Sequence, residues 1–224
     1  MSTDPADPTQ PRHEGSRIRR VAKRARYDRE TIEAIVDAAL IAHVGTVRDG
    51  KPVVIPMLCV RDGDWLLLHG SAASGTVTRG RDQDVCVTMT VLDGLVLARS
   101  AFHHSLNYRS VVVLGKAELV RDEAERSRLL DVFMERLVPG RASTLRPTAA
   151  AELKQTAVLR VSLQNSSAKV RTGPPADDED DYGLPIWAGV LPVSTRLGEP
   201  VPDPRLMADV DTPVHVLTLA GKTL

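Results

Sequence analysis

The stretch HVGTVRDGKPVVIPMLCVRDGDWLLLHG, residues 43–70, decides the fold. It holds three runs of aliphatic and β-branched residues, punctuated by Asp49-Gly50 and Asp62-Gly63. Asp and Gly both tolerate positive φ, so each dipeptide suits a two-residue turn whose twist matches its flanking strands. Three strands joined by two tight turns make an antiparallel meander.

Toward the N-terminus, Asp28 can cap a helix through its carboxylate. Ile32, Ile35, Val36, Leu40 and Ile41 then recur at helical spacing, which predicts an amphipathic helix over 29–42. Toward the C-terminus, a break at 71–82 is rich in Ser, Gly, Thr and Arg. DVCVTMTV (84–91) is a fourth strand. A third turn signal, Asp93-Gly94, leads to a fifth, GLVLARSAF (94–102). RSVVVLGKAELV (109–120) is a long sixth, with Gly115 a candidate bulge. A helix over 122–138 follows, capped by Asp122 and ended by Pro139-Gly140. A short helix near 148–155 and a final strand, AVLRVSLQNSSAKV (157–170), complete the regular pattern. GLPIWAGVLPV (183–193) reads as an ordered return. Six or seven antiparallel strands with peripheral helices point to a small β-barrel or sandwich. The runs VVIP, WLLL, GLVL and SVVVL are too continuous for one-sided strands. They imply cover on both faces, which suggests a subunit interface over part of the outer wall.

Three segments remain. Residues 1–26 read as a disordered basic tail, 27–195 as one domain and 196–224 as a C-terminal extension with four prolines that drapes over the surface. The tail carries Arg12, Arg17, Arg19, Arg20, Lys23, Arg24 and Arg26, and the acidic run 177–181 is an internal partner for it. Lys and Arg total 29, Asp and Glu total 29, and only seven residues are aromatic. Zero net charge argues against nucleic-acid binding, which needs a cationic surplus, and so few aromatics argue against a base-stacking surface. No apolar run approaches the roughly 20 residues that span a bilayer. With no apolar leader at the N-terminus, a cytoplasmic protein with no membrane partner is expected. Cys59 and Cys86 sit in apolar runs without a CxxC pair and read as two buried small hydrophobes rather than a disulfide or zinc site.

Chemistry concentrates in three places. His69-Gly70-Ser71 leaves a buried strand and leads through Ser74, Thr76, Thr78 and Arg79. Hydroxyls, backbone N–H groups and arginine are what a phosphate needs, although a plain polar loop has the same composition. Residues 98–110 gather His103, His104, Asn107, Tyr108 and Arg109. Adjacent histidines on extended backbone point to opposite faces, so no metal is expected there. Trp187 stands far from the core strands, as a late core plug or as a wall of a ligand site.

The runs LLLHGSAASG (66–75), DVCVTMTVLDGLVLARSAFHHSLNYRSVVVLGKAELV (84–120) and YGLPIWAGVLPV (182–193) resemble the pyridoxamine 5′-phosphate oxidase-like flavin-binding proteins. Within them the chain is most similar to the branch related to nitroimidazole-resistance reductases. The resemblance implies a mainly β fold with peripheral helices, a six-stranded antiparallel Greek-key split barrel of the FMN-binding type. It also implies a homodimer with FMN in two clefts at the interface. Carried over, Ile55, Pro56 and Met57 border the isoalloxazine, and His69, Gly70 and Ser71 end the strand beside it. Ser74 matches a hydroxyl near the FMN phosphate. Gly75 and Thr76 stand where many members have Arg or Lys; either Arg79 supplies the missing charge or phosphate affinity is weaker. Arg109 and Trp187 come from the partner subunit.

The implied activity is an FMN-dependent oxidoreductase of small molecules. Ser71 or Arg109 stabilises the reduced flavin, and His69 is the candidate catalytic residue, tuning the flavin or delivering a proton. Two cofactor alternatives stay open: a deazaflavin, or haem with His69, His103 or His104 as axial ligand. A flavin-binding regulator without turnover is the third. Pyridoxamine-phosphate oxidation itself lacks a full set of second-phosphate contacts. No GxGxxG motif follows a strand, so NAD(P) binding has no support.

Overall fold

The computed structural model describes residues 10–11, 13–73 and 83–223. The meander forms as read: β2 (Ile41–Arg48), β3 (Lys51–Asp62) and β4 (Trp65–Ser71) pair antiparallel. Asp49 and Gly50 take φ values of 50° and 73°, the left-handed pair that the turn requires. At the second turn Asp62 pairs with Trp65, so the two-residue loop is Gly63-Asp64, one place later than the Asp62-Gly63 signal. Helix α1 (Arg29–Ala38) starts at Asp28, whose carboxylate accepts the Thr31 N–H at 2.8 Å. It stops four residues short of the expected 42. The ladder claims the remainder: Leu40 O accepts the Cys59 N–H, and Ile41 pairs with Leu58.

The Asp93-Gly94 turn is not formed. β5 (Asp84–Leu97) runs straight through it, against β6 (Ser105–Lys116), with only a bulge between Leu92 and Gly94. Gly94 is there for space. A Cβ on it would lie 2.9 Å from Val190 Cγ1, because β10 (Gly189–Pro192) pairs along this part of β5. Gly115 is no bulge either, and it pairs in register with Val85. A Cβ there would touch Val161 at 3.4 Å. The expected strand 157–170 is a hairpin, β8 (Thr156–Ser162) and β9 (Ser166–Arg171). Its turn is held by Leu163 N–H to Asp64 O and Leu114 N–H to Asn165 O.

Short strands β1 (Ala25–Arg26) and β7 (Glu118–Leu119) flank the sheet, whose order is β1-β9-β6-β5-β2-β3-β4-β8-β7. The six long strands β2–β6 and β8 make a Greek-key split barrel. Its interior is filled by Leu66, Leu68, Val87, Met89, Val111 and Val161. Leu67 and Val158 point outward and are covered by Leu129 and Phe133 of α2 (Glu123–Leu137). Both-face burial on β4 therefore comes from the chain's own helix. On β2 and β3 the outer face stays bare: Val47, Val54 and Ile41 are each more than half exposed. Cys59 is buried, but Cys86 is exposed, correcting the reading of two buried thiols. On β5 Val85 and Val87 turn inward, so alternation sends Cys86 out.

Residues 13–26 run against the sheet rather than away from it. The Tyr27 hydroxyl accepts the Ile18 N–H, Ser16 is buried, and Ala25 and Arg26 pair with β9. The acidic run turns to a different cation than the tail: Asp177 accepts from the Arg99 backbone N–H and guanidinium, both at 2.9 Å. After α3 (Ala150–Gln155) and β10, the segment 196–223 closes on itself. Arg196 bridges Thr223, and Leu197 exchanges backbone hydrogen bonds with Lys222 and Gly221. It carries the one-turn helix α4 (Val214–Leu217). No helix among the described residues is long and apolar enough to cross a membrane.

Candidate functional site

Two cavities of cofactor size open on the barrel. The first, about 610 Å³, lies on the outer face where β2, β3, β5 and β6 meet. Its strand wall includes Ile41, His43, Pro56, Thr90 and Arg109, and its other side is Val193, Ser194, Thr195 and Thr223. His43 and Pro56 are cross-strand partners, placed by the register of the Asp49-Gly50 turn. Arg109 is fixed by Asp93 in a two-point pair, with Nη2 to Oδ1 at 2.8 Å and Nε to Oδ2 at 3.0 Å. That hydrogen bonding raises the guanidinium pKa further. The bulge before Gly94 brings Asp93 to this position.

The second cavity, about 560 Å³, lies between the end of β4, helix α2 and the segment 142–148. His69 lines it together with an apolar set that includes Leu130, Met134 and Leu145. The imidazole stands edge to face with Phe133, centroids 4.7 Å apart. Burial draws the His69 pKa below its ordinary value, so the ring is neutral at pH 7. Asp131 and Arg146 bring charge to the same cavity. Arg146 is also paired with Glu152, whose carboxyl is pushed down to about 2 by that guanidinium and the Ala149 N–H.

The expected site residues are thus divided. Pro56 and Arg109 share the first cavity and His69 belongs to the second. Ile55 and Met57 sit on the other face of β3 from Pro56: Met57 packs on the barrel core, and Ile55 pairs with buried Val44. One strand edge cannot present all three to one ring. Gly70 and Ser71 continue β4 against Ala157 and Thr156. Ser74, Thr76 and Arg79 lie outside the described residues. Trp187 is 69 % exposed and folds back over Gly189, lining neither cavity. His103 and His104 also line neither. Both ring Nδ1 atoms hydrogen-bond Ser100 at 2.8 Å, and His103 Nε2 turns toward Asp178. His103, Asp178 and Asp181 bring possible ligand atoms within 4.8 Å of one another, a grouping that the adjacent-histidine argument did not consider.

His43, Thr90, Asp93, Asp131 and Arg146 were missed. For His43 the signal was available, since a two-residue turn at 49–50 sets it opposite Pro56. The Asp93–Arg109 pair depends on a bulge that sequence presents as a turn.

A family model described as pyridoxamine 5′-phosphate oxidase matches residues 28–170. No curated protein matches the chain. Among solved structures, the flavocytochrome Anf3 from Azotobacter vinelandii is 44 % identical, with TM-score 0.90, covering 94 % of this chain and 98 % of that one. That coverage leaves too few unmatched residues to omit the segment 196–224. An FAD- and haem-binding protein from Mycobacterium smegmatis is 34 % identical, with TM-score 0.85, covering 88 % and 98 %. A protein assigned to 5-nitroimidazole antibiotic resistance in Bacteroides thetaiotaomicron is 26 % identical, with TM-score 0.54, covering 64 % and 84 %.

Proposed function

This chain belongs to the pyridoxamine 5′-phosphate oxidase family, and from that premise we propose that it is a redox protein binding two groups, a flavin and a haem. The observation that carries the reading is the separation of the two cavities, one with a guanidinium fixed by Asp93, the other with an imidazole among apolar side chains and the charged Asp131 and Arg146. The relatives that match nearly the whole chain are named for this pair. The flavin implied by the resemblance was FMN. The relative named for its flavin carries FAD, so FAD is the form proposed here.

The residues present fit both groups. In the first cavity, Ile41, Pro56 and Val91 give apolar walls for a flat ring system. Thr90, Ser194 and Arg109 would hold its polar edge, and Arg109, kept in place by Asp93, would stabilise negative charge there. In the second cavity, His69 would ligate iron, since a ring held neutral by burial is the ligating form. Leu130, Phe133, Met134 and Leu145 would exclude water from it. Arg146 offers the cation for haem carboxylates. When bound, the flavin would exchange electrons in pairs and the haem singly. His69 therefore serves as an iron ligand here, in place of the proton-transfer role considered from sequence. The activity proposed is oxidation–reduction of small molecules.

A homodimer is proposed as well. Val47, Val54 and Ile41 form a bare apolar strip on β2 and β3, and exposed apolar patches of this kind mark association surfaces.

Purified full-length protein, supplied with FAD, FMN and haemin, tests the reading. Flavin bands together with a Soret band are expected, with FAD retained better than FMN. A protein that takes up neither group refutes the proposal. Bound flavin that no donor reduces would leave the non-catalytic regulator as the correct reading.

A further inference from the structure

The stretch RIRRVAKRAR, residues 17–26, carries six cations and no carboxylate. The acidic run at 177–181, its expected internal partner, turns to Arg99 and His103 instead. Glu14 pairs with Arg17 at 2.8 Å and reaches Arg19 at 3.9 Å. Among the described residues Arg20, Lys23 and Arg24 pair with no carboxylate, and Arg20 and Lys23 are exposed. These cations are nonetheless held on the barrel. The Tyr27 hydroxyl accepts the Ile18 N–H at 2.8 Å, β1 pairs with β9, and the turn 22–24 packs on β9.

β9 adds two cations of its own, Lys169 and Arg171. Arg171 is buried and donates to Asn107 and to the Gly173 and Pro174 carbonyls, none of them charged. Burial, and then the Arg24 charge, draw its guanidinium pKa below the ordinary value. One edge of the sheet thus gathers like charges without an anion from this chain to offset them.

We propose that this basic edge, residues 17–26 with β9, docks the acidic face of a small electron-carrier protein that reduces the chain; this rests on the flavin-and-haem reading above. Ala25, Lys169, Ser110 and Thr90 lie in one cross-strand row, and Thr90 lines the first cavity. Three strand spacings separate the ends of that row, ~14 Å along the sheet. A carrier seated on the edge therefore stands beside the cavity assigned to the flavin. No GxGxxG motif follows a strand to hold a nicotinamide donor. Electron-transfer encounters are small and transient, and complementary charge steers them, so a compact cationic edge suffices. Each docked carrier gives up one electron and leaves oxidised. Two visits supply a pair, the accompanying protons come from solvent, and no other bond is made or broken. Nucleic acid and membrane fit the edge less well. Residues 13–26 hold no Phe, Tyr or Trp for stacking on bases, and no Trp, Phe or Leu to enter a bilayer boundary.

The test follows binding of two carriers, an acidic [2Fe–2S] ferredoxin and an acidic flavodoxin, to the full-length, cofactor-loaded protein by isothermal titration calorimetry. Stopped-flow absorption then follows reduction of the protein by each photoreduced carrier, and by dithionite, which is too small to need docking. The wild type is expected to bind at least one carrier, more weakly as salt rises. Arg20→Glu with Lys23→Glu should weaken that binding and slow reduction by the carrier, each by about tenfold or more, with dithionite reduction unchanged. Lys154→Glu with Arg205→Glu makes the same change in net charge at other exposed positions and should leave all three measurements unchanged. Circular dichroism checks that both double variants remain folded. A wild type that binds neither carrier overturns the proposal. So does an equal loss in the two double variants, or tighter binding to duplex DNA or phosphatidylserine vesicles than to either carrier. A chain that binds a carrier but takes up neither flavin nor haem overturns the redox reading, and the donor role with it.

Discussion

Phe133→Ala probes the second cavity from its packed side. Phe133 is 1 % exposed, sits on α2 among Leu67, Leu129 and Val158, and meets the His69 ring edge to face. Truncating a buried phenylalanine to alanine costs about 3–5 kcal/mol. For a chain of this size each kcal/mol lowers Tm by about 2–4 °C, so a fall of about 6–20 °C is expected. The same change reaches His69. Its pKa is low because burial penalises the charged ring, and a void beside it admits water. In the wild type the folded-state pKa lies below the unfolded one, so the unfolded chain binds the proton first as pH falls. Stability is therefore lost on the acid side, starting near the ordinary histidine value of about 6.5. In Phe133→Ala the two values approach each other, and that acid-side loss shrinks. Urea unfolding at about pH 5 and pH 7, with NMR titration of His69 in haem-free protein, measures both effects. A loss under about 1 kcal/mol, or an unchanged His69 titration, would refute the packing argument.

Further predictions follow from other parts of the molecule. Cys86 is exposed while Cys59 is buried with its thiol pushed up to about 12, so a thiol reagent should label one site quickly in the folded protein and the second only on unfolding. Labelling of both at equal rates would contradict the strand alternation of β5. Asp93→Asn releases Arg109 from its two-point pair, and flavin affinity measured by fluorescence quenching should fall by about tenfold, with little change in haem uptake. Equal loss of both groups would argue that the cavities are not separate. Val54→Asp puts a charge on the bare β3 face, and the protein should elute as a monomer in light-scattering chromatography if that face joins two copies. Asp122→Ala removes the cap that accepts the Glu125 N–H at 2.8 Å and should cost about 1 kcal/mol in urea unfolding.

Much of the barrel was legible because its central turns are local. Asp49-Gly50 fixes its own geometry and, through register, the partner of every residue on β2. What sequence misreads is set by distant neighbours. Gly94 looks like a turn glycine, yet its need for space comes from Val190 on a strand far along the chain. The apolar run of β4 correctly implied two covered faces, but only packing reveals that α2 supplies the cover. His69 stood out as a polar residue ending an apolar strand. That it sits apart from Pro56 and Arg109 follows from the curl of the sheet, which no spacing encodes. The C-terminal segment reads as a surface drape because its few ordering contacts are backbone bonds between residues 196–197 and 221–223. These leave no apolar period behind. Its part in the first cavity, through Thr223, is likewise a matter of tertiary placement.

Cofactor content of the wild type and of His69→Ala, read by native mass spectrometry after loading with FAD and haemin, tests the two-cavity account most directly. The account predicts one FAD and one haem per wild-type chain, and a His69→Ala protein that keeps FAD and loses haem. Haem retained at the wild-type level in His69→Ala, or a wild type that holds none, would contradict it.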